Sequence, residues 1–249
     1  MKSQNDQYAG LNRSDLDPIL KLAGDRIDPA LLAFIITHGS NFLDDVDSRS
    51  NRPEGGERWQ DRIIEEEVPE GVSILDLGCG DGNLLSRLAD RKKLRVQGVE
   101  IDADQVAACV ERGIPVIQLD LDQGLRGFPD DSFDYVILEE TLQTLKRPAD
   151  MLREMRRVGR RGIVTFPNFG YWRVRIDLAV RGRMPRTKWL PHNWYETPNI
   201  HLFSIRDFID HASEVGIAIR DILILEEGTP RRFRDGDNLR AEEAVVIFE

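Results

Sequence analysis

The chain has 249 residues, 41% of them hydrophobic and 31% charged, the proportions of an ordinary globular protein of one or two domains. Its formal net charge of −10 speaks against a general nucleic-acid binder, because neutralising phosphates needs a basic surface. The opening MKSQNDQYAGLNRSDLDP lacks the apolar core of a secretory signal, no apolar run nears the ~20 residues of a membrane span, and Cys79 and Cys109 make no disulfide framework, so a cytoplasmic protein is expected.

Residues 1–70 read as a helical extension and linker. Two Asp-Pro pairs each set an N-cap aspartate before a proline, which predicts helices near 17–23 and 29–44, the second with an apolar stripe of Leu31, Leu32, Ile35, Ile36 and Phe42. The polar stretch DSRSNRPEGGE is a linker, and a short helix near 57–67 leads on. From residue 71 strand and helix alternate. Strands are expected at 72–77, 94–100, 114–121, 133–140 and 161–168. Helices are expected in GNLLSRLADR, DADQVAACVERG and PADMLREMRRVG. A helix over 204–216 has Ser204 as N-cap with Asp207 three residues on, and IAIRDILIL and EEAVVIFE close the chain as two segments able to pair antiparallel. Such βα alternation implies an α/β fold, a doubly wound and mostly parallel sheet, here of seven strands. Residues 71–249 form this domain, and residues 168–200 read as a lid or docking insert within it. In such sheets ligands sit at the carboxyl ends of the strands, near the switch in strand order.

The first strand runs into LDLGCGDGNLL, with Gly78, Gly80 and Gly82 at every second position. A dinucleotide fingerprint would need a glycine at 83, where Asn83 stands, and there is no Gly-Lys-Ser/Thr of a triphosphate loop. Asp76 directly before the turn would repel a pyrophosphate and attract an ammonium or sulfonium. Glu100, ending the second strand, suits the two hydroxyls of a ribose, with Ile101 beside it. Asp120, ending the third, suits the exocyclic amine of adenine, with Leu121 packing the ring. Taken in order these positions fit one ligand, S-adenosylmethionine. Each has a plainer reading as a cap or a polar strand end, and Cys79 reads as a small loop filler.

LDLGCGDGNLL and FPDDSFDYVIL resemble class I S-adenosylmethionine-dependent methyltransferases. FPNFGYWRVR, GRMPRTKWLP and WYETPNIHL are similar to the MetW family of methionine biosynthesis, over roughly residues 71–225. The resemblance implies a methyltransferase fold and a link to homoserine O-acyltransferase, a MetX-like partner. Two features depart from the family. The extension over residues 1–70 is long, and Glu139 and Glu140 stand where a less acidic pair is expected, adding negative charge at the sulfonium end.

On the acceptor side, LEETLQ replaces the Asn-Pro-Pro-Tyr type of segment that serves amino groups of bases or glutamine. Candidate catalytic residues are His201, Asn168 and Glu139, the last also a cofactor contact. The stretch 166–201 is rich in polar aromatics, Tyr171, Trp172, Trp189, Trp194 and Tyr195 among them, together with His192. Eleven Arg and Lys residues between 153 and 188 are either a solvated surface or a docking face for an acidic partner. No metal-ligand spacing is present. Two functions follow: a protein that binds S-adenosylmethionine and acts with, or regulates, the acyltransferase; or a working methyltransferase on a small molecule.

Overall fold

The computed structural model describes residues 58–249, so the helices expected near 17–23 and 29–44 lie outside the described residues. The described residues divide into two compact units, residues 58–169 with Pro198–Glu249, and Gly170–Thr197.

The first unit is the α/β domain. Helix α1 (Trp59–Glu67) precedes strand β1 (Ser73–Leu77), followed by α2 (Asn83–Lys92), β2 (Arg95–Glu100), α3 (Ala103–Glu111), β3 (Val116–Gln118), β4 (Phe133–Glu139), α4 (Pro148–Val158) and β5 (Gly159–Pro167). After the insert come α6 (Ile205–Glu214), β6 (Ile219–Glu226), β7 (Thr229–Arg232) and β8 (Glu243–Phe248). Local chemistry sets the helix starts. Asp102 accepts the amides of Asp104 and Gln105 to begin α3, Pro148 opens α4, and Ser204 with Asp207 closes a capping box on α6, as its sequence predicts.

The sheet has eight strands in the order β3-β2-β1-β4-β5-β8-β6-β7. β1 to β5 pair in parallel; β8 runs antiparallel to β5 and β6. The fold class is the expected one. The strand beyond the expected seven is β7, Thr-Pro-Arg-Arg, which a turn at Glu227 and Gly228 folds back on β6. Its exposed, proline-bearing sequence has no apolar alternation to announce it, and it sits at the sheet edge where proline is tolerated. None of the helices among the described residues is long and apolar enough to cross a membrane.

Side chains of the central strands alternate between the two faces of the sheet. Ile74, Tyr135, Ile137, Ile163, Val245 and Ile247 pack on one face with Ile64 of α1, Leu84, Leu85 and Leu88 of α2 and Cys109 of α3. Leu75, Leu77, Val136, Leu138, Val164, Ala244, Val246 and Phe248 pack on the other with Met151, Leu152, Met155 and Val158 of α4 and Phe208 of α6. With both faces covered, β1 is buried throughout. Parity then fixes where the acids go. Asp76 is in step with Ile74, Glu139 with Ile137, and Glu243 with Val245. All three therefore stand on the α1 face, at the carboxyl ends of β1 and β4 and beside the end of β5, where Glu243 pairs with Pro167.

The second unit, within its described part, holds the short helix α5 (Trp172–Ile176), continued by a wider turn over Asp177–Arg181 that ends at Gly182. Arg173 lies over the Trp172 ring and Lys188 over the Trp189 ring. The sequence pattern offered no periodicity from which to expect α5.

Candidate functional site

The turn after β1 is built on left-handed backbone. Gly78 has φ +74°, and a Cβ there would stand 2.8 Å from Thr141 Oγ1, so only glycine lets β1 leave the sheet this close to the end of β4. The turn is pinned to β2: the amides of Gly78 and Cys79 donate to Val99 O, at 2.8 and 3.1 Å. Glycine is equally required at 98, where a Cβ would meet Cys79 Sγ at 2.4 Å. Cys79 is thus packed into β2, and burial pushes its thiol far above the ordinary range, which makes it a filler and no nucleophile.

Glu100 ends β2 with its carboxylate held by the backbone. Oε2 accepts Gly80 N–H at 2.9 Å, while Oε1 accepts Ile101 N–H at 2.8 Å and Asp102 N–H at 3.0 Å. Of the roughly four lone-pair positions of a carboxylate, about one is left, on Oε2, for a hydroxyl; a two-armed grip on a ribose requires Oε1 to release an amide. The Ile101 side chain is 60% exposed although apolar, a surface suited to lie against a flat ring. Asp120 caps the short turn Leu121–Gln123 through Asp122 N–H, and Leu121 is buried behind it. Gly80 and Gly82 share the positive φ of Gly78.

The other end of the site differs. Asp76 is buried, its Oδ1 meets no hydrogen-bond donor, and burial pushes its pKa up to about 7 against the pull of Arg58, with Asp61 and Glu100 adding to the rise. Glu139 is buried beside it. One of its oxygens pairs with Arg58 and Oε1 is without a donor; burial, then Asp61, Asp76 and Glu140, raise its pKa more than Arg58 lowers it. The amino end of α1 roofs these groups. Trp59 Nε1 donates to Glu243 Oε2 at 2.6 Å, Gln60 Nε2 to the same oxygen at 2.9 Å and to Glu140 Oε1 at 3.2 Å, and Arg58 Nε lies 3.2 Å from Asp61 Oδ1. Glu140 takes a left-handed φ of +49°, unusual for a non-glycine residue, held by its amide donating to Thr165 and by Gln143 Nε2 on its carbonyl. Arg58, Trp59, Gln60, Asp61 and Glu243 were not singled out from the sequence. For Glu243 the signal was present, an acid in step with the buried Val245 and Ile247.

Of the catalytic candidates, Glu139 lies in this cluster. His201 is tied to the end of β4, its amide donating to Gln143 O at 3.0 Å, and its Nε2 is buried without a partner. Asn168 is engaged in the fold. Its Nδ2 donates to the carbonyls of Asn238 and Ala241 at 2.9 and 2.8 Å, and its Oδ1 accepts Ile205 N–H, so the amide braces the entry of α6. His192 is exposed. Four of the basic residues are drawn into local pairs: Arg153 with Asp150, Arg157 with Glu154, Asp130 and two carbonyls, Arg160 with Asp134, and Arg161 with the Tyr135 hydroxyl. That leaves less free positive surface than the composition of 153–188 promised.

Among families, the one described as "Methionine biosynthesis protein MetW" matches residues 58–248. The chain belongs to the MetW family. A bifunctional methionine biosynthesis protein MetXA/MetW of Rhodopirellula baltica is 39% identical over 196 residues, covering 74% of this chain; the match spans only 32% of that protein. Among solved structures, an S-adenosylmethionine-dependent methyltransferase of Mesorhizobium loti superposes with TM-score 0.57 at 18% identity, covering 78% of this chain and 98% of its own. The [4+2]-cyclase SpnF superposes with TM-score 0.55 at 18% identity, covering 93% and 94%. The fold of this MetW-family chain is therefore shared by proteins named for different chemistry, and its function has to be argued from the site.

Proposed function

We propose that the protein binds S-adenosylmethionine and acts in the cytoplasm as a regulatory partner of homoserine O-acyltransferase in methionine biosynthesis. The single observation that carries the ligand is Asp76, a buried carboxylate with a partnerless oxygen directly before the glycine turn. Such a group is costly in a closed core and becomes favourable when a cation is placed against it. Asp76 and Glu139 would hold the cationic amino-acid end, Glu100 the ribose, and Asp120 the adenine amine, with Ile101 and Leu121 on either side of the ring. The glycine turn brings backbone close to the sugar. Bound there, the ligand supplies a sulfonium with an electrophilic methyl group. Support for the partner comes from the Rhodopirellula baltica relative, whose name joins MetXA and MetW in one protein. Exposed Trp194 and Tyr195, 73% and 65% accessible, offer rigid anchors for such a contact. Both cysteines are free thiols, Sγ to Sγ 3.8 Å, which suits a reducing compartment.

The test is copurification of the acyltransferase with this protein, and acyltransferase rate with the protein added, with and without S-adenosylmethionine. Association and a ligand-dependent change in rate are expected. No association and no change would remove the partner half of the reading.

One observation favours a second reading, methyl transfer to a small molecule. Glu140 holds strained backbone at the end of β4, and His201 is anchored by the turn that follows it; strain of this kind gathers at sites of chemistry. Turnover of methyl-labelled ligand in a metabolite extract, above a Glu100→Ala control, would establish it. No label transferred would dismiss it.

A further inference from the structure

Two buried oxygens beside the tip of β4 have no partner, and the ligand reading above uses neither. Gln60 of α1 and Gln143 of the short turn Leu142–Thr144 are 0% and 3% exposed, and the Oε1 of each meets no hydrogen-bond donor. Arg58 reaches Glu139 and Asp61 and leaves both amide oxygens unsatisfied. His201 Nε2 is likewise buried without a partner, on a residue whose amide donates to Gln143 O at 3.0 Å.

The neighbours of the two amides settle which end of each is nitrogen. Gln60 Nε2 donates to Glu243 Oε2 at 2.9 Å and to Glu140 Oε1 at 3.2 Å, and Gln143 Nε2 donates to Glu140 O at 2.7 Å. A carboxylate or a carbonyl only accepts, so turning either amide over would set oxygen against oxygen. Both side chains therefore rest on Glu140 by their nitrogens and keep their oxygens spare. Two segments far apart in sequence, α1 and the turn after β4, thus bring two buried acceptors to one residue, itself held in left-handed backbone.

The chemistry of the place decides what fits it. Buried acceptors without donors are unfavourable and are relieved by a group rich in N–H or O–H. The carboxylates of Glu139 and Glu140 alongside favour a positive one. An alkylammonium has both properties, three N–H donors on one positive charge. At neutral pH an aliphatic amine is in that form, as lysine is, while an amino group on an aromatic ring is not. A water molecule would supply donors and make no use of the charge.

We propose that the tip of β4 binds the ammonium group of a small aliphatic amine, held by Gln60 Oε1 and Gln143 Oε1 beside the Glu140 carboxylate. The site is distinct from Asp76, Glu100 and Asp120, the acids read above as holding the nucleoside. The binding stands by itself; what the amine is for rests on the methyl-transfer reading, in which it is the acceptor. Its nitrogen then gives up a proton to His201 Nε2, the N–CH3 bond forms as the S–CH3 bond breaks, and the electron pair of the broken bond stays on sulfur.

The test is a set of ligand-detected magnetic resonance titrations of the full chain with butylamine, butyltrimethylammonium and butanol. The first two carry the same charge, and only butylamine has N–H donors; butanol has a donor and no charge. The wild type is expected to bind butylamine at least about 10-fold more tightly than either of the others, within the range of a charged hydrogen-bonded contact. Gln143→Leu should bring butylamine down to the level of butyltrimethylammonium. A wild type that binds all three alike, or none, overturns the inference, the spare oxygens then being occupied by water alone. A Gln143→Leu variant that keeps the preference overturns it as well, and the wild-type comparison needs no variant to fold. Methyl label followed from S-adenosylmethionine to butylamine separates the two readings. Selective binding without transfer leaves the site standing and counts against methyl transfer; transfer together with selective binding supports both.

Discussion

The two ends of the site hold the same chemical group in opposite conditions. At the end proposed for the adenosine, Glu100 and Asp120 are partly accessible and accept backbone amides, three on Glu100 and one on Asp120. These carboxylates are content in the free protein. At the amino-acid end, Asp76 and Glu139 are buried, each with a donorless oxygen, and burial raises the pKa of both. One end is shaped before the ligand arrives; the other is under electrostatic tension that a cation would relieve. On the ligand reading proposed above, shape and charge requirements are separated along one ligand, and each end can be broken without the other.

The largest effect is expected at Asp76. Asp76→Asn keeps the side-chain volume and removes the charge. Affinity for S-adenosylmethionine should fall about 100-fold, as for loss of a buried charged partner. The ligand-free variant should be no less stable than wild type at pH 8, since a carboxylate with a pKa near 7 is there ionised at a penalty of a few kcal/mol. Calorimetry and thermal melting check the two halves. A variant that binds normally, or one that melts lower without ligand, would contradict the account of the tense end.

The positions of these acids are legible in the sequence; the contrast between the two ends is not. Asp76, Glu100 and Asp120 were placed at consecutive strand ends because strand, turn and helix patterns around them are strongly periodic. The βα order, the antiparallel closing pair and the Ser204 cap followed from the same signals. Strand β7 was not foreseen, because Thr229–Arg232 has no apolar face. Arg58 and Glu243 were missed for a different reason. They lie 81 and 104 positions from Glu139, and no local pattern tells which helix terminus will fold over which strand tip. Asn168 shows the converse: a polar residue at the end of β5 looks aimed at a cleft, and three backbone groups engage its amide.

The second effect is a pH dependence confined to the tense end. The folded pKa of Asp76 is raised, so its contribution to stability is fully present below the unfolded value, near pH 4, and is lost as pH rises through about 7. Ligand affinity runs the other way, because the cation selects the ionised form: it should tighten by up to about tenfold per pH unit until about 7 and then level off. Glu139 adds in the same direction. Titration calorimetry from pH 5 to 8.5 reads the profile. In Asp76→Asn the part due to Asp76 should vanish. In Glu100→Gln the slope should persist on a uniformly weaker affinity, lower by about tenfold, since an amide nitrogen meets backbone donors that the carboxylate accepted. A slope abolished by Glu100→Gln would mean that the two ends are not separable.

The smallest effect on affinity is expected at Asn168, which distinguishes a site residue from a residue that merely stands near one. Its amide ties β5 to the carbonyls of Asn238 and Ala241 and to the first amide of α6, all within the buried interior. Asn168→Ala leaves those groups without a partner, and buried unpaired backbone costs about 1–3 kcal/mol per group before relaxation. The melting temperature should therefore drop by several degrees, roughly 2 to 4 °C per kcal/mol for a domain of this size. Affinity for S-adenosylmethionine, measured well below the transition, should stay within about twofold of wild type, because distant independent sites add. If affinity instead fell as far as in Glu100→Gln with little loss of stability, Asn168 would have to face the ligand, and the hydrogen bonds that now explain its burial would be the wrong explanation.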